Sequence, residues 1–337
     1  MKHVSILVPK GNAILSNVIG TFKVLLATNQ FLKQTGARED DFFEVHLVGL
    51  EKDLSLYHGL FSIHCDSTID DIKKTDLILI PALRPDKLNE DLDQNQDFVP
   101  WILEQRNKHR AEVASMCMGA FVLARTGLVD GKQCATHWAG MDLFKKMYPQ
   151  VNLVSNKVVT DEDGIYTSGG AFSFLNLMLH LIEKYCGRGP AIYISKFFEI
   201  DFDRENQNQF AIFQAQKDHE DEAIRQAQKY IEGNVAEKIS VENLAKKHAI
   251  SRRNFVRRFK KATQNTPLEY IQRVKIEWAK RSFESTQNNV NEVMYQVGYT
   301  DQKAFRTIFK KYVGLSPVAY KNKYNRNFSD FRSPTAW

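Results

Sequence analysis

Apolar positions in this chain follow two regimes, with a polar stretch between them. From the start to about residue 187, short apolar runs alternate with stretches of helical spacing. Val4–Val8, Phe43–Val48, Leu77–Ile80 and Glu112–Ser115 read as strands. Leu77–Ile80 is apolar throughout, as strands covered on both faces are. Ile14–Thr35, Phe98–His109 and Ala171–Tyr185 repeat their apolar residues at helical spacing. Alternating strands and helices predict a three-layer α/β sandwich with a largely parallel sheet over residues 1–187. Residues 188–222 turn to Asp, Glu, Asn and Gln, including Asp201, Asp203, Gln207, Gln209, Gln214 and Gln216, which predicts a polar connector. Within it, Ile192–Ile200 reads as a helix or strand packed on the first domain.

Beyond the connector the sequence repeats itself. Phe255, Phe259, Lys260, Lys261, Pro267 and Tyr270 recur 50 residues later as Phe305, Phe309, Lys310, Lys311, Pro317 and Tyr320. The turns Ala249-Ile250-Ser251 and Gly298-Tyr299-Thr300 match at an offset of 49. A repeat at this spacing signals a duplicated supersecondary unit. In the first copy Ser240 suits an N-cap, Val241, Leu244 and Ala245 share a helix face, and Ser251 opens a second helix with Phe255 and Phe259 inward. In the second copy Gly298 marks the turn, Thr300 or Asp301 the cap, and Phe305, Phe309 and Tyr312 the buried side. Each copy reads as helix, tight turn, helix. Between them a long helix is expected from about Pro267 to Ser285, and residues 325–337 form a short mixed tail that includes Phe328, Phe331 and Trp337.

Charge sharpens this reading. The chain carries a formal +6, but residues 223–337 hold 23 Lys and Arg against 9 Asp and Glu, or +14, which leaves the first 222 residues at −8. A strongly basic module on an acidic one is the pattern of a polyanion-binding half. A membrane surface would attract the same charge, but no stretch pairs a Trp/Leu face with a lysine face. No apolar run reaches 18 residues, and the opening MKHVSILVPKG reads as a strand, not a signal peptide, so no membrane partner is expected. Cys65, Cys117, Cys134 and Cys186 lack paired metal-ligand spacing, which points to a reducing cytoplasm and to neither a disulfide framework, a metal nor a cofactor.

Double-stranded DNA is the expected partner. In a helix-turn-helix the second helix presents polar and basic side chains to the major groove. Arg252, Arg253, Asn254, Arg257, Gln302, Lys303 and Arg306 are the candidates for base contact, and Lys261, Lys310 and Lys311 for phosphates. Asn254 and Gln302 suit adenine, which weighs against a nonspecific architectural binder. This half resembles the AraC/XylS DNA-binding domain over residues 223–324. The resemblance rests on Gly298-Tyr299-Thr300-Asp301, Phe305, Phe309-Lys310-Lys311 and Gly314-Leu315-Ser316-Pro317. His248-Ala249 stands where that family commonly has a glycine.

The first domain has one candidate for chemistry. Ser115-Met116-Cys117-Met118-Gly119 joins a strand, Ala111–Ala114, to a helix, Ala120–Thr126, in the outline of a nucleophile elbow. A helix N-terminus beneath the cysteine would favour thiolate. His137, twenty residues on, is a candidate partner. Residues 1–187 resemble the PfpI-type branch of the class I glutamine-amidotransferase-like superfamily, flavodoxin-like in fold, found before AraC domains in GlxA-type regulators. The matching runs are 115–124, 127–132, 135–138 and 166–170, and Arg204-Glu205-Asn206-Gln207 resembles the segment that precedes the AraC domain. The resemblance implies a cysteine nucleophile, a histidine near it and an acidic residue at the start of the first helix. Here that position reads Asn17, which cannot exchange a proton near neutral pH. The expectation is therefore a transcription regulator and not an enzyme, with Cys117, His137 and Asn17 around a small-molecule effector pocket or a vestigial one. Oxidation sensing at Cys117 is a further reading. A PfpI-type amidase or glyoxalase-like enzyme carrying a DNA-binding domain is the alternative. The same resemblance implies a homodimer, and RNA polymerase as a partner if the protein activates.

Overall fold

The computed structural model describes residues 1–325 apart from 12, 156 and 203–206. The tail residues Phe328, Phe331 and Trp337 and the run Arg204–Asn206 lie outside the described residues. The chain divides into two compact units, Met1–Gln207 and Asn208–Trp337.

The first unit holds the strands and helices that the apolar pattern predicts, with short strands and helices added between them: β1 Lys2–Val8, α1 Leu15–Gln34, β2 Phe43–Gly49, β3 Asp53–Leu56, β4 Phe61–His64, β5 Ser67–Thr68, β6 Leu77–Ile80, α2 Leu88–Gln94, α3 Phe98–His109, β7 Glu112–Met116, α4 Ala120–Arg125, β8 Gln133–Cys134, α5 Met141–Met147, β9 Asn152–Leu153, β10 Val159–Glu162, β11 Ile165–Ser168, α6 Phe174–Cys186 and α7 Arg188–Phe197. Seven strands form one sheet in the order β10-β11-β7-β6-β1-β2-β5, parallel except for β10 against β11. Successive residues of β1 point to opposite faces. Leu7 packs with α2, α3 and α4, while Val4, Ile6 and Val8 pack with α1, α6 and α7. The result is a flavodoxin-like three-layer sandwich. The segment expected as a connector is thus divided. Arg188–Phe197 is helical and buries Ala191 and Ile194 against α1 and α6, so it belongs to the first unit. Its apolar residues at helical spacing outweigh the polar composition around them.

The second unit is helical: α8 Glu222–Gly233, α9 Val241–Lys247, α10 Arg252–Thr263, α11 Pro267–Ser285, α12 Val290–Gln296, α13 Gln302–Val313 and α14 Pro317–Tyr324. The sequence repeat becomes a repeat of geometry. Phe255 and Phe259 have ring centroids 5.7 Å apart at 51°, and Phe305 and Phe309 lie 5.8 Å apart at 53°. Tyr270 meets Phe259 edge-on at 5.3 Å, as Tyr320 meets Phe309 at 5.7 Å. Tyr270 donates its hydroxyl to Glu232 on α8, and Tyr320 donates to Glu284 on α11. So α11 closes the first repeat and opens the second, and one core forms at each of its ends.

Candidate functional site: a basic helix-turn-helix face and a buried cysteine elbow

Each second helix of the repeat is started by its own cap. Ser251 accepts from the Asn254 N–H, and Asp301, not Thr300, accepts from the N–H groups of Lys303 and Ala304. A carboxylate there satisfies two open amides and sits favourably at the helix N-terminus. Burying Phe255 and Phe259, or Phe305 and Phe309, turns the opposite side of each helix to solvent. Arg252, Arg253, Arg257, Lys261, Gln302, Lys303, Arg306, Lys310 and Lys311 are exposed there, and Asn254 is half-buried.

These side chains are not equivalent. Arg252 Nε pairs with Glu242 Oε1 on α9 at 2.6 Å, Arg257 donates to Asn254 Oδ1 at 2.8 Å, and Gln302 donates to Asn291 Oδ1 on α12 at 3.0 Å. Arg253, Lys261, Lys303, Arg306 and Lys310 have no ion-pair partner among the described residues. Arg258, on the same helix, is different again. It makes a two-pronged bond to Asp221, the cap of α8, at 2.8 and 2.6 Å, and so serves the fold.

Two turns set the angle between paired helices. Gly298 has φ +71°, and a Cβ there would lie 2.3 Å from the Ala236 carbonyl oxygen. Ala249, its counterpart, adopts the same left-handed region at φ +52°. The first turn therefore keeps its geometry without glycine. Behind the second turn, Lys275 on α11 donates to the carbonyls of Val235, Glu237 and Val297 at 2.6 to 2.9 Å. Burial pulls its pKa down to about 8. Sequence reasoning missed it, since a lysine on a mixed helix carries no sign of being buried.

In the first unit the elbow is present. Cys117 follows β7 with φ +54°, a left-handed conformation costly for a side chain with a Cβ. Gly119 makes the turn possible, because a Cβ there would meet the carbonyl oxygens of Ile80 and Pro81 at 2.6 and 2.5 Å. The thiol, however, does not favour thiolate as its position at a helix N-terminus suggests. Cys117 is 5% exposed, and burial pushes its pKa up to about 12. Desolvation outweighs the pull of the Met118 N–H.

The two expected partners are engaged elsewhere. His137 Nδ1 accepts from the Ala139 N–H at 3.1 Å, and no hydrogen bond joins its ring to Cys117 among the described residues. Burial lowers the His137 pKa. Asn17 is fully buried, and its Oδ1 accepts from the Ala82 N–H at 3.2 Å, in the loop after β6. What the structure adds is Gln207. Its amide nitrogen donates to the Thr136 carbonyl at 3.0 Å and its Oε1 accepts from the Gly170 N–H at 3.0 Å. Thr136 in turn donates its hydroxyl to the Cys117 carbonyl at 2.9 Å. Nearby, the buried hydroxyls of Ser168 and Ser173 have no partner among the described residues. In the sequence Gln207 stands out in the resemblance run through 204–207 and as part of the polar connector, but the structure places it in the first unit.

Comparison with known proteins follows the same division. Residues 26–184 match the DJ-1/PfpI family, and residues 244–323 match a helix-turn-helix domain. The HTH-type transcriptional regulator GbdR of Pseudomonas aeruginosa is 25% identical over 216 residues, covering 64% of this chain and 59% of that protein. This chain thus aligns with about three fifths of that relative's length. The HTH-type transcriptional regulator CdhR of the same species is 23% identical over 279 residues, or 82% of this chain and 81% of that one. Among solved structures, a candidate transcriptional regulator protein from Vibrio parahaemolyticus has the fold of the first unit. It is 23% identical with a TM-score of 0.51, over 58% of this chain and 98% of that one. The chain thus joins a domain that matches the DJ-1/PfpI family to one that matches a helix-turn-helix domain, in the order of the two units of the fold.

Proposed function

We propose that this protein is a sequence-specific DNA-binding transcription regulator whose first unit senses a small molecule and performs no turnover. The observation that carries the DNA-binding reading is the duplicated helix-turn-helix with unpaired cations on both second helices. Arg253, Asn254, Gln302 and Arg306 lie in or near the first turns, from which recognition helices reach base edges. Lys261, Lys310 and Lys311 lie farther along and neutralise phosphates. Two units in one chain read successive major grooves about 10 bp apart.

Absence of turnover is supported by three engaged groups: a protonated Cys117 thiol, a His137 Nδ1 used by its own turn, and an Asn17 bonded to Ala82. Sensing is supported by Gln207, a carboxamide from the chain end of the first unit held in the polar cluster beside the elbow. An effector competing for the Thr136 carbonyl and the Gly170 N–H would release it. Self-association through the first unit is supported by the exposed apolar side chains of Ile19, Phe172 and Phe197. Four unpaired cysteines suit the cytoplasm. No helix among the described residues is long and apolar enough to cross a membrane.

The test is selection of bound genomic fragments by the purified protein, then titration of a recovered site against scrambled DNA across a salt series. Two protected stretches about one helical turn apart, with a specificity ratio above roughly 10³, are expected. Equal affinity for scrambled DNA with a steep salt slope would reject sequence reading and leave charge alone.

A further inference from the structure

Three side chains capable of holding a metal ion converge on one face of the sheet, outside both sites above. His3 on β1 and Glu44 on β2 are direct partners in the parallel register, and His46 lies two residues beyond Glu44 on the same face. His3 Nδ1 is 3.1 Å from Glu44 Oε2, and His46 Nε2 is 3.3 Å from Glu44 Oε1. One ligand atom from each of the three lies within 4.8 Å of the others. Donors about 2.0–2.1 Å from a tetrahedral zinc ion stand roughly 3.3 Å apart. The two short separations are close to that length, one to each oxygen of the Glu44 carboxylate.

Two further contacts favour an ion over simple side-chain pairing. Asp66 Oδ2 lies 2.6 Å from His46 Nδ1, and its Oδ1 accepts from the Leu47 N–H at 2.6 Å. A carboxylate on Nδ1 keeps the proton there and turns the Nε2 lone pair towards Glu44, the way metal-bound imidazoles are commonly held. Glu44 Oε2, meanwhile, is shut off from solvent and faces His3 Nδ1 at 3.1 Å without hydrogen-bond geometry among the described residues. A solvent-excluded carboxylate oxygen set against an imidazole nitrogen in this way is compensated by a cation between them or by a proton on the ring. Two imidazoles and one carboxylate suit zinc and its neighbours, whereas calcium and magnesium take oxygen donors.

We propose that His3, Glu44 and His46 bind one divalent transition-metal ion of the zinc class, with Asp66 as the positioning residue on His46 and one coordination place open. The ion ties β1 to β2 at the end of the sheet where these strands begin.

The test uses the untagged full-length chain, stripped with a chelator and titrated with Zn²⁺ against a chromophoric competitor. One equivalent should bind. Asp66→Asn should weaken binding by about 10–100-fold, and the double variant His3→Gln/His46→Gln should lose it with an unchanged circular-dichroism spectrum. Zn²⁺ should raise the melting temperature of the wild type and leave that of the double variant where it was. Co²⁺ should give a tetrahedral visible spectrum without thiolate charge transfer. One equivalent bound equally by the double variant, a thiolate-to-cobalt band, or no binding by the wild type would each overturn the assignment. Were the double variant unfolded, Asp66→Asn and the cobalt spectrum would still decide.

Discussion

Cys117 and Lys275 show how burial sets chemistry at single residues. At the thiol, desolvation opposes charge and keeps the proton on. Iodoacetamide at pH 7.5 should therefore leave Cys117 unmodified in the native protein, under conditions that alkylate it in the unfolded chain, as read by peptide mass. Modification at the unfolded rate would show an accessible thiolate. For Lys275 the sign of the pH dependence follows from its pKa of about 8 in the folded state against about 10.4 unfolded. Between those values the unfolded chain binds the extra proton, so stability rises with pH across that window. The gain relative to Lys275→Met is at most about 3 kcal/mol, because the three carbonyl oxygens stabilise the ammonium and resist the shift. Denaturant melts of both proteins at pH 8 and pH 10 would measure it; a parallel course would mean that Lys275 keeps its charge.

At the scale of the element, the two turns of the repeat differ in what they tolerate. Gly298→Ala places a Cβ against the Ala236 carbonyl in a left-handed conformation, and should cost roughly 2–5 kcal/mol in chemical denaturation. Ala249→Gly relieves the same conformation in the first turn and should stabilise by about 0.5–1 kcal/mol. Within α10, Arg258 is tied to the fold while Arg253 has no ion-pair partner among the described residues, so the two predict different outcomes. Arg253→Ala should cost about 1–3 kcal/mol of binding and relax specificity at one base pair. Arg258→Ala, losing the bond to Asp221, should lower stability while leaving the sequence preference unchanged. A variant at Arg253 that weakened all sequences equally would remove it from base reading.

For the whole molecule, two units with separate cores predict two calorimetric transitions. Gly298→Ala should lower the one belonging to the second unit, and Gly119→Ala, which drives a Cβ into the Ile80 and Pro81 carbonyls, the one belonging to the first. A single transition shifted alike by both would show that the units unfold together. Charge acts at this scale as well. The basic half of the chain predicts steep salt dependence of DNA binding, and Lys310→Ala should reduce the slope by about one.

The sequence by itself determined what local pattern and repetition can carry. Runs such as Leu77–Ile80 and the spacing of Ile14–Thr35 specify the sandwich, because a buried strand and an amphipathic helix each impose their own period. Phe255, Phe259 and Tyr270, repeated as Phe305, Phe309 and Tyr320, specify the twin helix-turn-helix, because each copy needs the same aromatic core to hold its second helix. The elbow at Cys117 was legible as a motif, and its glycine as a turn. Only the tertiary structure decided what surrounds each group. Cys117 loses its water to elements far along the chain, Asn17 turns to Ala82, Gln207 reaches Thr136 and Gly170, and Lys275 finds three carbonyls. His3 meets Glu44 through a strand register that no local pattern records. Protonation, ligand geometry and burial depend on such distant contacts, since desolvation and coordination act through space and not along the chain.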